Sequence, residues 1–253
     1  ANHGKSAQTT KKPQIQSNIE PAELVVPHHF YKLDENAPRD IWYELAVDYL
    51  KYERGIDFQQ YPFYLSHGGK SKWDEDWKGR IIIPLYKNGK LIFYQGRDLT
   101  NSKTRKYKSP SEPKDKVMSG FDELYNNIAE PLYVVEGFFD SYVIGGVGLI
   151  GNQVTTAQLA HLRRCRRDKI YIPDKVGDGD IAANVFIKEG WSISTPEIGS
   201  CKDINEAVVK YGKMYVLKTI SDNVSSGELA KLALGVYCSN GKKKKNDKGT
   251  STR

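Results

Sequence analysis

The sequence predicts an α+β N-terminal subdomain followed by an α/β domain with a short parallel sheet flanked by helices. Three observations carry this expectation. In the first half, two β-rich runs are joined by Lys87-Asn88-Gly89, and Asn-Gly between apolar runs is a strong hairpin signal. From Leu132 the rhythm changes to alternating strand and helix, which implies a parallel sheet covered by helices. Two of the later strands run into acids, Glu136 and Asp174, and open α/β sheets place their ligand crevice at such strand ends.

The elements follow in order. Residues 1–27 are polar, carry no sustained period and read as a flexible leader. Residues 28–130 form the first subdomain. Between Arg39 and Gly55 the residues Ile41, Leu45, Ala46, Tyr49 and Leu50 recur at helical spacing. The hairpin strands are Arg80–Tyr86 and Lys90–Arg97. Residues 131–212 form the second domain. Its strands are expected at 132–135, 148–151, 169–172 and 191–194. Helices are expected at 138–143, at 155–162 with Thr155 as N-cap, at 181–188, and from Asp203 onward, with Asp203 as cap. Residues 213–237 read as a helical segment, and 238–253 as a basic flexible tail.

The chain has 253 residues, enough for one large domain or two small ones, and a hydrophobic content of 39% that suffices for a core. Its formal charge of +7 suits an anionic partner, nucleic acid above all, although the lysine-rich tail alone supplies much of the excess. The cysteines Cys165, Cys201 and Cys238 are scattered without a Cys-x-x-Cys pair, which argues against a structural zinc site and a disulfide framework. The pair His28-His29 lacks metal-site spacing. No apolar run approaches the roughly 20 residues of a membrane span, and no signal peptide is visible. A cytoplasmic setting is therefore expected.

The acids of interest are Glu136, Asp140, Asp174, Asp178, Asp180 and Asp203. If Glu136, Asp174 and Asp203 all fall at or just beyond strand ends, they converge on one sheet edge. Carboxylates held close repel one another unless a cation neutralises them. Mg²⁺ or Mn²⁺, which take oxygen ligands, are the natural cations, and they serve phosphoryl transfer. Strand-end acids can equally be helix caps, and Asp203 is the clearest case. Gly177-Asp178-Gly179-Asp180 reads as a metal loop or a solvated turn. It is no P-loop, and an EF-hand counted from Asp174 would need glutamate where Val185 stands.

At this point the residues resemble a known pattern. Val134-Val135-Glu136-Gly137-Phe138-Phe139-Asp140, Pro173-Asp174 and Lys202-Asp203-Ile204-Asn205-Glu206 look like the Toprim domain of bacterial and phage DNA primases. The stretch from Gly190 to Val208 is especially close to the phage type. Upstream, Gly79-Arg80-Ile81-Ile82-Ile83-Pro84-Leu85, Gln95-Gly96-Arg97, Lys106-Tyr107-Lys108-Ser109-Pro110 and Leu124-Tyr125 resemble the N-terminal subdomain of the primase catalytic core. The resemblance spans roughly Asp40 to Gly212. It implies a DNA-templated RNA polymerase that makes short primers for replication. It assigns metal binding and catalysis to Glu136, Asp174 and Asp203. Asp140 matches the acid of the glutamate motif, with a ligand role and a structural role both open. Arg80, Arg97 and Lys106 hold the positions of groove residues that bind template and nucleotide. The implied partners are single-stranded DNA, ribonucleoside triphosphates and a replicative helicase; a phage protein would work in the host cytoplasm.

Two departures stand out. The family has Asp-x-Asp at the second motif, and here Val176 occupies the second acid's place, so Asp178 or Asp180 would have to shift in. A basic residue often precedes Leu-Tyr in the family, where this chain has Ser119-Gly120-Phe121, with Lys114 and Lys116 earlier. The zinc-binding module that commonly precedes a primase core does not appear in these residues. The departures keep two alternatives in view: a Toprim-type nuclease or topoisomerase-like enzyme, and a catalytically weakened module that binds single-stranded DNA.

Overall fold

The computed structural model of the protein describes residues 19–101, 104–151, 153–175 and 179–237. The expected tail, Val176 and Asp178 lie outside the described residues. Residues 19–27, the end of the expected leader, run along the first sheet. There the Leu24 N–H donates to the Leu91 carbonyl at 2.7 Å, while Glu20 and Glu23 pair with Lys87 and Lys90. Ties of this kind reach residues far along the chain and leave no local period to read.

The first half is an antiparallel sheet with short helices. Strand β1 (Phe30–Lys32) precedes helix α1 (Ile41–Asp48). Asp40 caps α1, accepting the Tyr43 N–H at 2.9 Å. The expected helix runs on past α1 as a wide π-type turn, Tyr49–Glu53, closed by the Arg54 N–H on the Tyr49 carbonyl at 3.2 Å. Then come β2 (Tyr64–Ser66), α2 (Lys72–Glu75), β3 (Arg80–Lys87), β4 (Lys90–Asp98) and β5 (Tyr107–Lys108). The sheet order is β1-β2-β3-β4-β5. The hairpin joining β3 to β4 is as expected: Asn88 and Gly89 both take positive φ, 50° and 74°, which a tight two-residue turn requires.

The second sheet begins with β6 (Met118–Ser119) and continues through β7 (Leu132–Glu136), α3 (Phe138–Ile144), β8 (Val147–Leu149), α4 (Thr156–Arg164), β9 (Lys169–Tyr171), α5 (Gly179–Lys188) and β10 (Ser192–Ser194). Helices α6 (Ile204–Tyr211) and α7 (Lys213–Asp222) lead to β11 (Val224–Ser225) and a last helix over residues 227–237. The order is β11-β10-β9-β7-β8-β6. The four inner strands are parallel, as the alternation predicts, and both edge strands are antiparallel. The sheet therefore reaches beyond the expected 131–212 at both ends. The expected helical segment 213–237 is broken by β11, where Val224 and Ser225 pair with the open edge of β10. Thr155 caps α4 in a reciprocal capping box with Gln158.

Both halves share one buried core. Phe63, Ile81 and Leu85 from the first half join Val134, Phe138 and Tyr171 from the second in the same apolar cluster. A cleft in the surface of the first half, lined by Arg80, Phe93, Tyr107 and Lys108, opens beside that core.

Candidate active site

Glu136 closes β7, and the next residue turns the chain into α3. Gly137 takes φ 82°, a conformation that side chains disfavour. Its N–H donates to the Leu149 carbonyl at 3.0 Å. A Cβ on Gly148 would collide with the Gly137 carbonyl oxygen and the Ser119 hydroxyl. Strand β8 and the Glu136 turn are therefore packed backbone to backbone, which fixes where Glu136 points. Its Oε1 accepts the Tyr171 hydroxyl at 2.8 Å. Burial, and then the charge of Glu136, push the Tyr171 phenol far up, so it stays a proton donor to that carboxylate.

Asp174 follows the end of β9, half-buried. The Lys175 N–H donates to the Lys202 carbonyl at 3.3 Å, drawing this loop to the one that carries Asp203. Asp203 caps α6, accepting the Glu206 N–H at 2.8 Å, so the helix-cap reading holds. The cap leaves the carboxylate within electrostatic reach of Asp140 and Asp174. Asp140, in the first turn of α3, is buried, and its Oδ1 accepts the Asn205 N–H at 2.8 Å.

The acids perturb one another. Burial first, then the charges of Asp140, Glu136 and Asp203, raise Asp174 to about 9, against a pull from Lys202. Burial and Asp203 raise Asp140 to about 7, with the Asn205 N–H and Arg54 pulling down. The structure thus brings Glu136, Asp140, Asp174 and Asp203 to the C-terminal end of the parallel sheet. Among the described residues, no three His, Cys, Asp or Glu side chains gather closely enough to make a ready metal cage.

The facing wall is cationic and aromatic. Arg54 crosses from the first half. Its Nε donates to the Tyr49 hydroxyl (2.8 Å) and its Nη1 to the Asn205 side-chain oxygen (3.0 Å), while the Asn205 amide returns a bond to the Arg54 carbonyl (2.9 Å). The guanidinium lies over Phe139 at 4.5 Å. Neither Arg54 nor Asn205 is foreseen by sequence reasoning. Asn205 lies inside the Lys202–Glu206 motif and Arg54 at the end of the expected helix, and nothing local links them, since they sit 151 positions apart.

The predicted basic residues fall in three different settings. Arg97 is buried between Tyr49 and Tyr107, at 5.8 and 5.2 Å from their ring centres. Its Nη2 donates to Asn101 at 3.3 Å, and its Nε has no partner among the described residues. Lys106 is exposed. Arg80 is 2% exposed and donates to the carbonyls of Asp76, Gly96, Arg105 and Lys106, which ties β3, β4 and the loop before β5 together. Tyr107 stands 40% exposed at the cleft, yet its surroundings, burial above all, raise its phenol well above the ordinary range. Both hold for a ring inside a concavity that is open to water.

Comparison with solved structures gives the same architecture. The RNA polymerase domain of Mycobacterium tuberculosis primase DnaG is 19% identical, with a TM-score of 0.60 over 72% of this chain and 77% of that one. The E. coli primase catalytic core is 20% identical, with a TM-score of 0.58 over 73% and 75%. A DnaG primase catalytic domain bound to single-stranded DNA is 20% identical, with a TM-score of 0.58 over 73% of each chain. No protein-family model matches the sequence, and no curated protein does. The chain has the fold of a DNA primase catalytic core. No helix among the described residues is long and apolar enough to cross a membrane.

Proposed function

We propose that the chain makes short RNA primers on a single-stranded DNA template by metal-dependent nucleotidyl transfer. The observation that carries this reading is the meeting of Glu136, Asp140, Asp174 and Asp203 at the C-terminal end of the parallel sheet, with Arg54 of the first half acting on Asp140. Solved primase cores share the fold, and one of them is bound to single-stranded DNA.

The donor set suits a hard divalent cation. Mg²⁺ takes oxygen ligands, keeps several waters, and is commonly held by one or two carboxylates plus substrate phosphates. It therefore needs no cage of three protein ligands. Glu136, Asp174 and Asp203 are the residues that would hold Mg²⁺ or Mn²⁺, with Asp178 as the further candidate. The cation would neutralise triphosphate oxygens and favour the nucleophilic form of the attacking hydroxyl.

The chain's own residues do the positioning. Tyr171 holds Glu136, so that carboxylate meets substrate already oriented, and the Asn205 N–H fixes the buried Asp140. Arg54 and Arg97 supply the opposing charge, and a guanidinium fork suits phosphate oxygens. Lys106 reaches from the rim as a mobile charge toward template or nucleotide. Arg80 serves this reading as the frame beneath that rim. A replicative helicase, the partner the resemblance implies, would deliver the single strand.

The test is incorporation of labelled ribonucleotides on single-stranded DNA with Mg²⁺ or Mn²⁺. Glu136→Gln should abolish the product, and robust synthesis by that variant would overturn the role of Glu136. A catalytically weakened DNA-binding module is the second reading, favoured by Val176 at the second acid's place. Calorimetric titration of Mn²⁺ into wild type, Asp174→Ala and Asp178→Ala separates the two. Heat that disappears in Asp174→Ala supports the enzyme, and DNA binding without any metal binding supports the module.

A further inference from the structure

The proposed chemistry gives no role to the one exposed tryptophan among the described residues. Trp73, on the short helix α2, is 53% exposed, a large apolar surface to leave in water. It is also held still. The Lys108 ammonium sits over its ring, 3.8 Å from the centre, and is fixed there by the Asp76 carboxylate at 2.6 Å and the Trp73 carbonyl at 3.1 Å. Trp77, itself fully buried, meets Trp73 edge to face at 6.3 Å. Pinned by the cation and by Trp77, the ring still leaves about half of its surface to water.

That ring borders a cavity of about 880 Å³ whose wall also carries Arg105, Tyr107, Lys108 and Lys114. Tyr107 is the link to the chemistry. It lines the same cavity, and its phenol feels the charges of Arg54, Arg97 and Asp140. One concavity therefore joins Trp73 to Tyr107 past basic side chains, and Tyr107 in turn lies within electrostatic reach of Asp140.

We propose that Trp73 is a stacking platform for an unpaired base of the template strand, in the cavity that it shares with Tyr107. A rigid, exposed indole beside cations is what a single strand recognises, because every base has a π-face and the backbone needs counter-charge. A duplex keeps its bases stacked inside and cannot use the ring. This rests on the reading of the chain as a template-directed enzyme and adds to it a residue that seats the strand.

The test reads binding alone, without nucleotides. A labelled DNA strand of about 12 nucleotides, long enough for a single-strand site, is titrated against wild type, Trp73→Ala and Trp73→Phe. The same strand with abasic sugars is titrated alongside. Trp73→Ala should bind the base-bearing strand about tenfold more weakly, within the range that stacking contributes. Trp73→Phe should stay within about threefold of wild type, since a smaller π-face remains. On the abasic strand all three should bind alike, and the dependence on salt should not change, because no charge is removed. An equal loss on both strands, or no loss on either, would overturn the platform. Wild type that binds bases in this way yet makes no primer would overturn the proposed function and leave the platform standing.

Discussion

Replacing Asp174 with asparagine should make the metal-free protein more stable. The carboxyl titrates near 9 in the folded chain against an ordinary 3.8, so between those values the folded state holds a proton that the unfolded chain has released. Stability then falls as pH rises through that window and levels off above 9. At pH 8 the full difference would amount to about 6 kcal/mol, at 1.36 kcal/mol for each unit. Asp174 is half-buried, and Asp140 relaxes with it, so about 2 kcal/mol is the expected share after screening. For a chain of this size that is a rise of about 4–8 °C in Tm. The assay is thermal unfolding of wild type and Asp174→Asn in chelator, from pH 5 to pH 9. The gap between them should widen with pH. Saturating Mn²⁺ at roughly a hundred times its Kd should raise wild type by about 2.7 kcal/mol and the variant by far less. A variant less stable than wild type at every pH, with an unchanged pH slope, would refute the electrostatic account of the acids.

Two further outcomes follow from the frame around the site. Asn205→Ala removes both side-chain ties to Arg54, one of them to a charge, and should cost about 2 kcal/mol in urea unfolding while also lowering primer synthesis. Arg80→Met strands several carbonyl acceptors at the base of β3 and β4 and should cost about 3 kcal/mol or more, with Mn²⁺ binding by the surviving folded protein unchanged. Loss of Mn²⁺ binding in folded Arg80→Met would show that this residue acts in the site itself.

What the sequence discloses depends on how local the cause is. The β3–β4 hairpin is legible because Asn88-Gly89 must take positive φ, and the parallel strands because each is a short apolar run followed by an amphipathic helix. Glu136 and Asp174 are legible as strand-end acids for the same reason. Strands β1, β2, β5, β6 and β11 have two or three residues each, too few for a period, and they exist because a neighbouring strand offers open hydrogen bonds. Arg80 shows the opposite limit. Its motif position suggests a groove residue, but its guanidinium faces backbone carbonyls, one from nearby Asp76 and three from the distant Gly96, Arg105 and Lys106, which no local pattern records. Arg54 and Asn205 are hidden the same way, each meaningful only through the other.

The acids and their frame are built on different physics. Glu136 is aimed by a glycine contact that excludes a Cβ on Gly148, by Gly137 at φ 82° and by the Tyr171 hydroxyl, none of which depends on the other carboxylates. Asp140 and Asn205 are locked to each other and, through Arg54, to the first half of the chain. A frame that strong can hold carboxylates in partial burial and mutual repulsion, and burial first, then repulsion, raises the proton affinities of Asp140 and Asp174. Protonation relieves that repulsion at low pH and a divalent cation relieves it at working pH. The two compete for the same oxygens, so Mn²⁺ affinity should climb with pH through the range where Asp140 and Asp174 titrate, and it should climb less in Asp174→Asn. An affinity for Mn²⁺ that is flat across pH 6 to 9 would mean that the cation sits elsewhere, and that these four acids serve the fold alone.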